Sequence, residues 1–192
     1  MLLDQVRTLQ ARFDQHGLSE LGHAPVDEPT GQPDTFAEIL RRMDELPRLR
    51  FTGDPKVTQA LDDHSVGNWV EVAWDALCAL NEYAAASAAG TAGGDFRHWC
   101  LRQPEDREHR FSAGKVKMKE SEGVGNRGKW RGERTFPVPV SVDPSGRLFM
   151  QAHLCVGGGN TVAPRLYFHD DGPGTGLVYV GYIGPHPSNT LT

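Results

Sequence analysis

Near its end the chain runs Arg165-Leu166-Tyr167-Phe168-His169-Asp170-Asp171, then Val178-Tyr179-Val180-Gly181-Tyr182-Ile183, then Gly184-Pro185-His186. Along a strand, alternation sets Arg165, Tyr167 and His169 on one face and Leu166 and Phe168 on the other. A histidine just past a strand is well placed for proton transfer, since strand-end loops hold polar groups within reach of solvent and substrate. Arg165 offers a fork of N–H donors suited to phosphate. A carboxylate from Glu120, Glu122 or Glu133 would complete the set. Metal-free RNA cleavage needs such a set: a base for the 2′-hydroxyl, an acid for the leaving 5′-oxygen and a cation for the charge that builds on phosphorus. His186, Arg165, Glu133 and Glu120 are therefore the catalytic candidates. Each also has a purely structural reading. Arg165 can pair with Asp170 or Asp171, His169 can sit exposed in a turn, His153 can hydrogen-bond within a strand, and His186 can cap a loop.

A second feature lies upstream. Lys115, Lys117, Lys119, Arg127, Lys129, Arg131 and Arg134 face only Glu120, Glu122 and Glu133 within residues 115–134. Gly123, Gly125, Gly128 and Gly132 are interleaved with them, and Trp130 sits among them. Glycines let backbone N–H groups approach a phosphate, the cations supply charge, and an exposed indole can stack on a base. Lys117, Lys119, Arg127, Lys129, Trp130, Arg131 and Arg134 are the nucleic-acid-binding candidates. The structural alternative is a surface loop with Trp130 tucked into the core.

Other chemistry is weakly signalled. His153, His169, Asp170, Asp171 and His186 hold enough donors for a divalent ion, but their spacing resembles no closed ligand motif, so neither a metal nor another cofactor is expected. Arg102 and His109 have a spacing that a long helix could use, but Pro104 lies between them. There is no P-loop, dinucleotide fingerprint, nucleophile elbow or HExxH. Cys78, Cys100 and Cys155 form neither a disulfide framework nor a zinc ribbon, and Cys155 has nothing adjacent to activate it.

The elements that must position these groups follow from periodicity. Leu2, Val6, Leu9 and Phe13 predict a first helix ended by Gly17, and residues 22–33 read as a linker. Thr35 and Glu38 have capping-box spacing, opening a helix with Phe36, Ile39, Leu40, Met43 and Leu46 on one face before Pro47. The strongest helix spans about 68–89, capped by Asn68, with Trp69, Ala73, Ala76, Leu77, Leu80 and Ala84 as its stripe and Val72, Trp74 and Tyr83 widening it. That width suits packing on a sheet. A short helix from Asp95 would bury Phe96, Trp99 and Cys100. From Gly114 the period becomes 2, giving strands at about 115–120, 136–142, 147–156, 164–169 and 177–183. Asp143-Pro144-Ser145-Gly146 predicts a tight turn that pairs the second and third. Helices first and meandering strands afterwards imply an α+β fold: N-terminal helices packed on a C-terminal antiparallel sheet of about five strands, which could close into a barrel-like form. The expected division is a helical segment 1–50, a helical region 51–112 packing on the sheet, and a β domain 113–192.

Composition bounds the function. The 192 residues are 38% hydrophobic and 23% charged, as in ordinary globular chains. Net charge is −5, but unevenly spread: residues 1–111 carry −8 and residues 112–192 carry +3. A chain basic throughout is thereby excluded, while a basic region is not. No apolar run approaches a membrane span, and Met1-Leu2-Leu3 meets Asp4 at once, so a cytoplasmic protein with no membrane partner is expected.

The run Arg165-Leu-Tyr-Phe, then Asp170-Asp171, then an apolar strand closed by Ile183-Gly184-Pro185-His186, resembles the C-terminal part of RelE/YoeB-type toxin ribonucleases over about 22 residues. That resemblance implies helices followed by an antiparallel sheet, with Arg165 as the phosphate-holding arginine and His186 as general acid. Pro185 and Pro187 flanking the histidine depart from the pattern. The leading expectation is a nucleic-acid-interacting module that binds RNA or DNA through the basic glycine-rich segment and a sheet face, since binding needs only the basic face. A metal-independent ribonuclease using His186, Arg165 and a glutamate is the alternative. A protein-interaction or regulatory domain with a protein partner and no nucleic acid is the third.

Overall fold

The structure, a computed structural model, describes residues 31–64, 67–103, 109–158 and 163–188. The expected first helix at Leu2–Phe13 and Pro104 lie outside the described residues. The chain divides between Gln32 and Pro33, and the described helices and strands all belong to the unit from Pro33 onward.

Helix α1 (Phe36–Arg41) begins where the capping pattern places it: the Thr35 hydroxyl accepts the Glu38 N–H at 3.0 Å, and the Glu38 carboxylate accepts the Asp34 N–H. A 3₁₀ turn (Met43–Glu45) and Pro47 end this helical run and lead into strand β1 (Leu49–Phe51). Helix α2 (Pro55–Gln59) is capped by Asp54, and the buried Thr58 hydroxyl donates to the Ile183 carbonyl at 2.8 Å. Helix α3 (Trp69–Ala88) is the long one, with the whole expected stripe buried together with Trp74, Cys78, Ala79 and Tyr83. Asn68 occupies the N-cap position but makes no side-chain capping bond. Helix α4 (Phe96–Leu101) is capped by Asp95, which accepts the His98 N–H at 2.9 Å, and buries Phe96 and Cys100.

The strands number seven among the described residues: β1, then β2 (Val116–Lys117), β3 (Thr135–Pro137), β4 (Arg147–Phe149), β5 (Ala152–Cys155), β6 (Arg165–Asp171) and β7 (Leu177–Gly184). Between β2 and β3 lie two short helices, α5 (Glu122–Asn126) and α6 (Gly128–Gly132). The main sheet has the order β1-β7-β6-β5-β2, and β3 pairs with β4 as a separate two-stranded sheet. The fold is α+β, as expected.

Three details differ from expectation. The sheet is open, not barrel-like, and it is mixed, because β1 runs parallel to β7 while the other pairs are antiparallel. A three-residue strand has no readable period, and its parallel partner lies far away in sequence, so local pattern cannot reveal it. The strand expected over 147–156 is two strands in different sheets, separated at Met150 and Gln151; the Met150 N–H bonds to the Arg134 carbonyl at 2.9 Å there. The expected strand at 115–120 shrinks to β2, and that at 136–142 to β3. The turn at Asp143–Gly146 forms as expected: the Gly146 N–H bonds to the Asp143 carbonyl, the Asp143 carboxylate accepts the Ser145 N–H, and Gly146 has φ +69°.

Strand alternation gives the main sheet two different faces. One carries Leu49, Val116, Leu154, Leu166, Phe168, Val178, Val180 and Ile183 into a core shared with Phe36, Ile39, Leu77, Leu80 and Phe96. Residues from all three expected divisions, 1–50, 51–112 and 113–192, meet in that core. The opposite face carries Tyr167 and Tyr179 into a smaller cluster with Phe136, Val138 and Met150 under the β3/β4 hairpin.

Candidate functional site

The hairpin-side face of the sheet holds the groups of chemical interest, and register shows how they come together. His153, Tyr167 and Tyr182 lie abreast on β5, β6 and β7, and Cys155, Arg165 and Gly184 form the next row on the same face. His186 follows two residues beyond Gly184. The His153 and Tyr167 rings stack at 4.8 Å, Phe136 stacks on Tyr182 at 5.2 Å, and Tyr167 meets Tyr182 edge-on at 6.0 Å.

Glu120 and Arg134 anchor this face. Glu120 Oε1 accepts Arg134 Nε–H at 2.7 Å and the Tyr167 hydroxyl at 2.6 Å, and His153 Nδ1 lies 3.6 Å away. Arg134 also donates through Nη1 to the carbonyls of Trp130 and Ser188, both at 3.1 Å. Glu133 Oε2 accepts the Ser188 N–H at 2.8 Å. Residues 133 and 134 thus grip both backbone polar groups of Ser188 and hold the segment that carries His186.

The electrostatics follow from this packing. Burial pushes the Glu120 carboxyl up, but the hydrogen bonds from Tyr167 and Arg134 and the charges of His153 and Arg134 outweigh it and hold the group below its usual range. Burial likewise works against the Arg134 charge, and the Tyr167 and Glu120 oxygens around it more than compensate, so the guanidinium stays charged. Tyr167 is pushed up by burial and by Glu120. His153 and His186 are both lowered, chiefly by burial; for both, the charges of Arg165 and Arg134 reinforce the effect and Glu120 opposes it. The two imidazoles therefore share three charged neighbours. They also share a tautomer: each turns Nδ1 to a backbone carbonyl, His153 to Gln151 at 3.0 Å and His186 to Pro187 at 2.5 Å. In the neutral ring Nδ1 then carries the proton and Nε2 the lone pair.

The expected catalytic residues are thus only partly assembled as expected. His186 feels the charges of both Arg165 and Glu120, but the glutamates are engaged elsewhere. A carboxylate held low by the Tyr167 hydroxyl and a buried arginine is a poor base, which makes Glu120 an anchor, and Glu133 is bound to Ser188. Arg165 does not pair with Asp170 or Asp171. Its Nη1 donates to the carbonyls of Gly157, Ala163 and Pro164, at 3.2, 3.2 and 3.1 Å. Asp170 turns to the helix side and accepts the hydroxyls of Tyr83 and Ser87. From sequence His153 reads as a hydrogen-bonded strand residue or a weak metal donor; its alternation with Leu154, beside a strand pairing with Arg165-x-Tyr167, is the signal that links it to this face. Among the described residues no three His, Cys, Asp or Glu side chains gather as metal ligands. A cavity of about 510 Å³ lined by Cys100, Gln103, Phe111 and Ala113 holds none of the expected site residues.

The basic segment divides by burial. Lys117, Lys119, Arg127, Lys129 and Arg131 are exposed, as is Lys115. Arg134, expected on the binding surface, is buried at 1% exposure, and Trp130 is buried as well. The reason is geometric: Arg134 turns in to Glu120, Tyr167 and the Trp130 carbonyl, while Arg131 lies over the hairpin's Phe149 and stays open to solvent. Arg127 covers the Trp130 ring at 4.4 Å, and Arg131 covers the Phe149 ring at 4.3 Å. No helix among the described residues is long and apolar enough to cross a membrane. No protein-family model, curated protein or solved structure matches this chain.

Proposed function

We propose that this chain is a nucleic-acid-interacting module whose contact surface is the outer side of residues 115–131. The observation that carries this reading is the sorting of charge by burial. Arg134 and Glu120 withdraw from the surface as a pair, and six exposed cations remain against Glu122 and the half-buried Glu133. Such a patch on an otherwise acidic chain attracts phosphates by counterion release, and the acidic remainder restricts that attraction to one side. The test is binding of labelled RNA and DNA across a salt series with EDTA present. Affinity falls as salt rises, and Lys129→Ala or Arg131→Ala each weakens binding and lowers the salt slope by about 1. A chain that captures neither RNA nor DNA at low salt overturns the reading and turns attention to a protein partner.

A second reading, a metal-independent ribonuclease, is favoured by the two imidazoles near Arg165. With the glutamates engaged, His153 replaces them as base. His153 Nε2 accepts the 2′-hydroxyl proton as O2′ attacks phosphorus, and the protonated His186 imidazole delivers a proton to the departing O5′. The products are a 2′,3′-cyclic phosphate and a 5′-hydroxyl, with Arg165 near the charge that builds on phosphorus. In the same EDTA incubation, cleavage falls by about 10²-fold or more in His153→Ala and in His186→Ala. Because both imidazoles are held below the ordinary value of 6.5, the pH optimum lies on its acid side. RNA that stays intact removes this reading and leaves the first standing.

A further inference from the structure

The exposed arginines of the basic segment do more than carry charge. Arg127 and Arg131 stand one helical turn apart, joined by the Arg131 N–H bonded to the Arg127 carbonyl at 2.9 Å. Each guanidinium is laid over an aromatic ring, Arg127 on Trp130 and Arg131 on Phe149. Both arginines are exposed, whereas Trp130 is buried and Phe149 half-buried, so each guanidinium carbon sits over a ring while its side chain stays open to solvent. A guanidinium held by a ring is already ordered, and little freedom is lost when a second planar group stacks on its open face.

Only unpaired bases offer such a face, because in a duplex the base faces are closed by their neighbours. The spacing agrees. Side chains one turn apart are separated by about 5–6 Å at Cβ, wider than the roughly 3.4 Å per nucleotide along one strand of a duplex. Nor can α6 act as a groove-reading helix, since its five residues make an element only about 7.5 Å long.

We propose that the nucleic acid taken by this surface is single-stranded, with unpaired bases stacked on the outward faces of Arg127 and Arg131 and the phosphates between them met by Lys117, Lys119 and Lys129. The inference rests on the nucleic-acid reading above and refines its ligand class. Stacking needs the plane of the guanidinium, whereas phosphate attraction needs only its charge, and an Arg-to-Lys exchange separates the two.

The experiment compares a labelled unstructured RNA of about 12 nucleotides, within the range of single-strand site sizes, with a duplex of the same sequence, by fluorescence anisotropy at matched salt with EDTA present. The wild-type chain binds the single strand tighter by about tenfold or more, the scale of one or two stacked bases. In the Arg127→Lys/Arg131→Lys double variant that ratio collapses toward one, while the salt slope is kept because the charge count is kept. Circular dichroism and the Trp emission maximum report whether the variant retains its fold, and single Arg→Lys variants serve if the double does not. Equal affinity for duplex and single strand, or a folded lysine variant that keeps the full preference, overturns the proposal without touching the nucleic-acid reading. Loss of binding to both probes in the wild-type chain overturns both.

Discussion

Replacing Glu120 by glutamine would strip the counter-ion from Arg134, a guanidinium whose side chain is 1% exposed. Removing one member of a buried ion pair leaves an uncompensated charge and costs about 3–5 kcal/mol, whereas removing both together costs much less. Urea unfolding should therefore show Glu120→Gln strongly destabilised and Glu120→Gln/Arg134→Met recovering much of the loss. A double variant as unstable as the sum of the singles would contradict the pairing. At this scale the sequence was legible for charge and poorly legible for role. Arg165 and His186 were identifiable from their places at strand ends, but the partner of each side chain depends on which residues lie across neighbouring strands. Glu120 and Arg134 are 14 positions apart and read from sequence as a catalytic carboxylate and a nucleic-acid-binding cation, not as partners. Only their shared contact with Tyr167 on β6 makes them an anchor.

Between elements, a close approach under the hairpin is at Gly181. The bulge between Tyr167 and Phe168 leaves Gly181 as the extra residue on β7, and a Cβ there would meet Phe136 Cβ at 2.6 Å and the Met150 sulfur and methyl at 2.7 Å. The hairpin thus rests directly on β7 backbone. Gly181→Ala forces the two sheets apart and costs about 1–3 kcal/mol, with faster amide exchange at Phe136 and Met150 as its local mark. Unchanged exchange there would mean the hairpin is not seated on β7. Helix ends and the Asp143–Gly146 turn were readable because capping and turn chemistry act over three or four residues. The sheet switch at Met150–Gln151 was not, because a strand keeps period 2 whether or not its partner changes.

For the molecule as a whole, acid is the informative perturbation. His153 and His186 have folded-state values below the unfolded 6.5, and Glu120 lies below its ordinary 4.5. In each case the unfolded chain binds the proton more readily, so the stability these groups contribute is present above the unfolded value and is lost as pH falls. Unfolding free energy therefore declines in two windows, first below 6.5 and again below 4.5. The charges facing His153 are Glu120, Arg134 and Arg165, so His153→Gln isolates its share and makes the first window shallower, leaving the part due to His186. A variant with the wild-type profile would show that this imidazole does not govern it.

Elements with local causes were readable without the fold: the helices α1, α3 and α4, the Asp143–Gly146 turn, the long strands β6 and β7, and the concentration of positive charge in residues 115–134. From these came the α+β class. Tertiary structure alone decided that β1 joins β7 in parallel, that the sheet stays open under a separate hairpin, and that Arg134 and Trp130 turn inward while Arg127, Lys129 and Arg131 turn outward. Periodicity reports that a residue has two environments. Which one is water depends on what packs against the element, and that is a property of the whole chain.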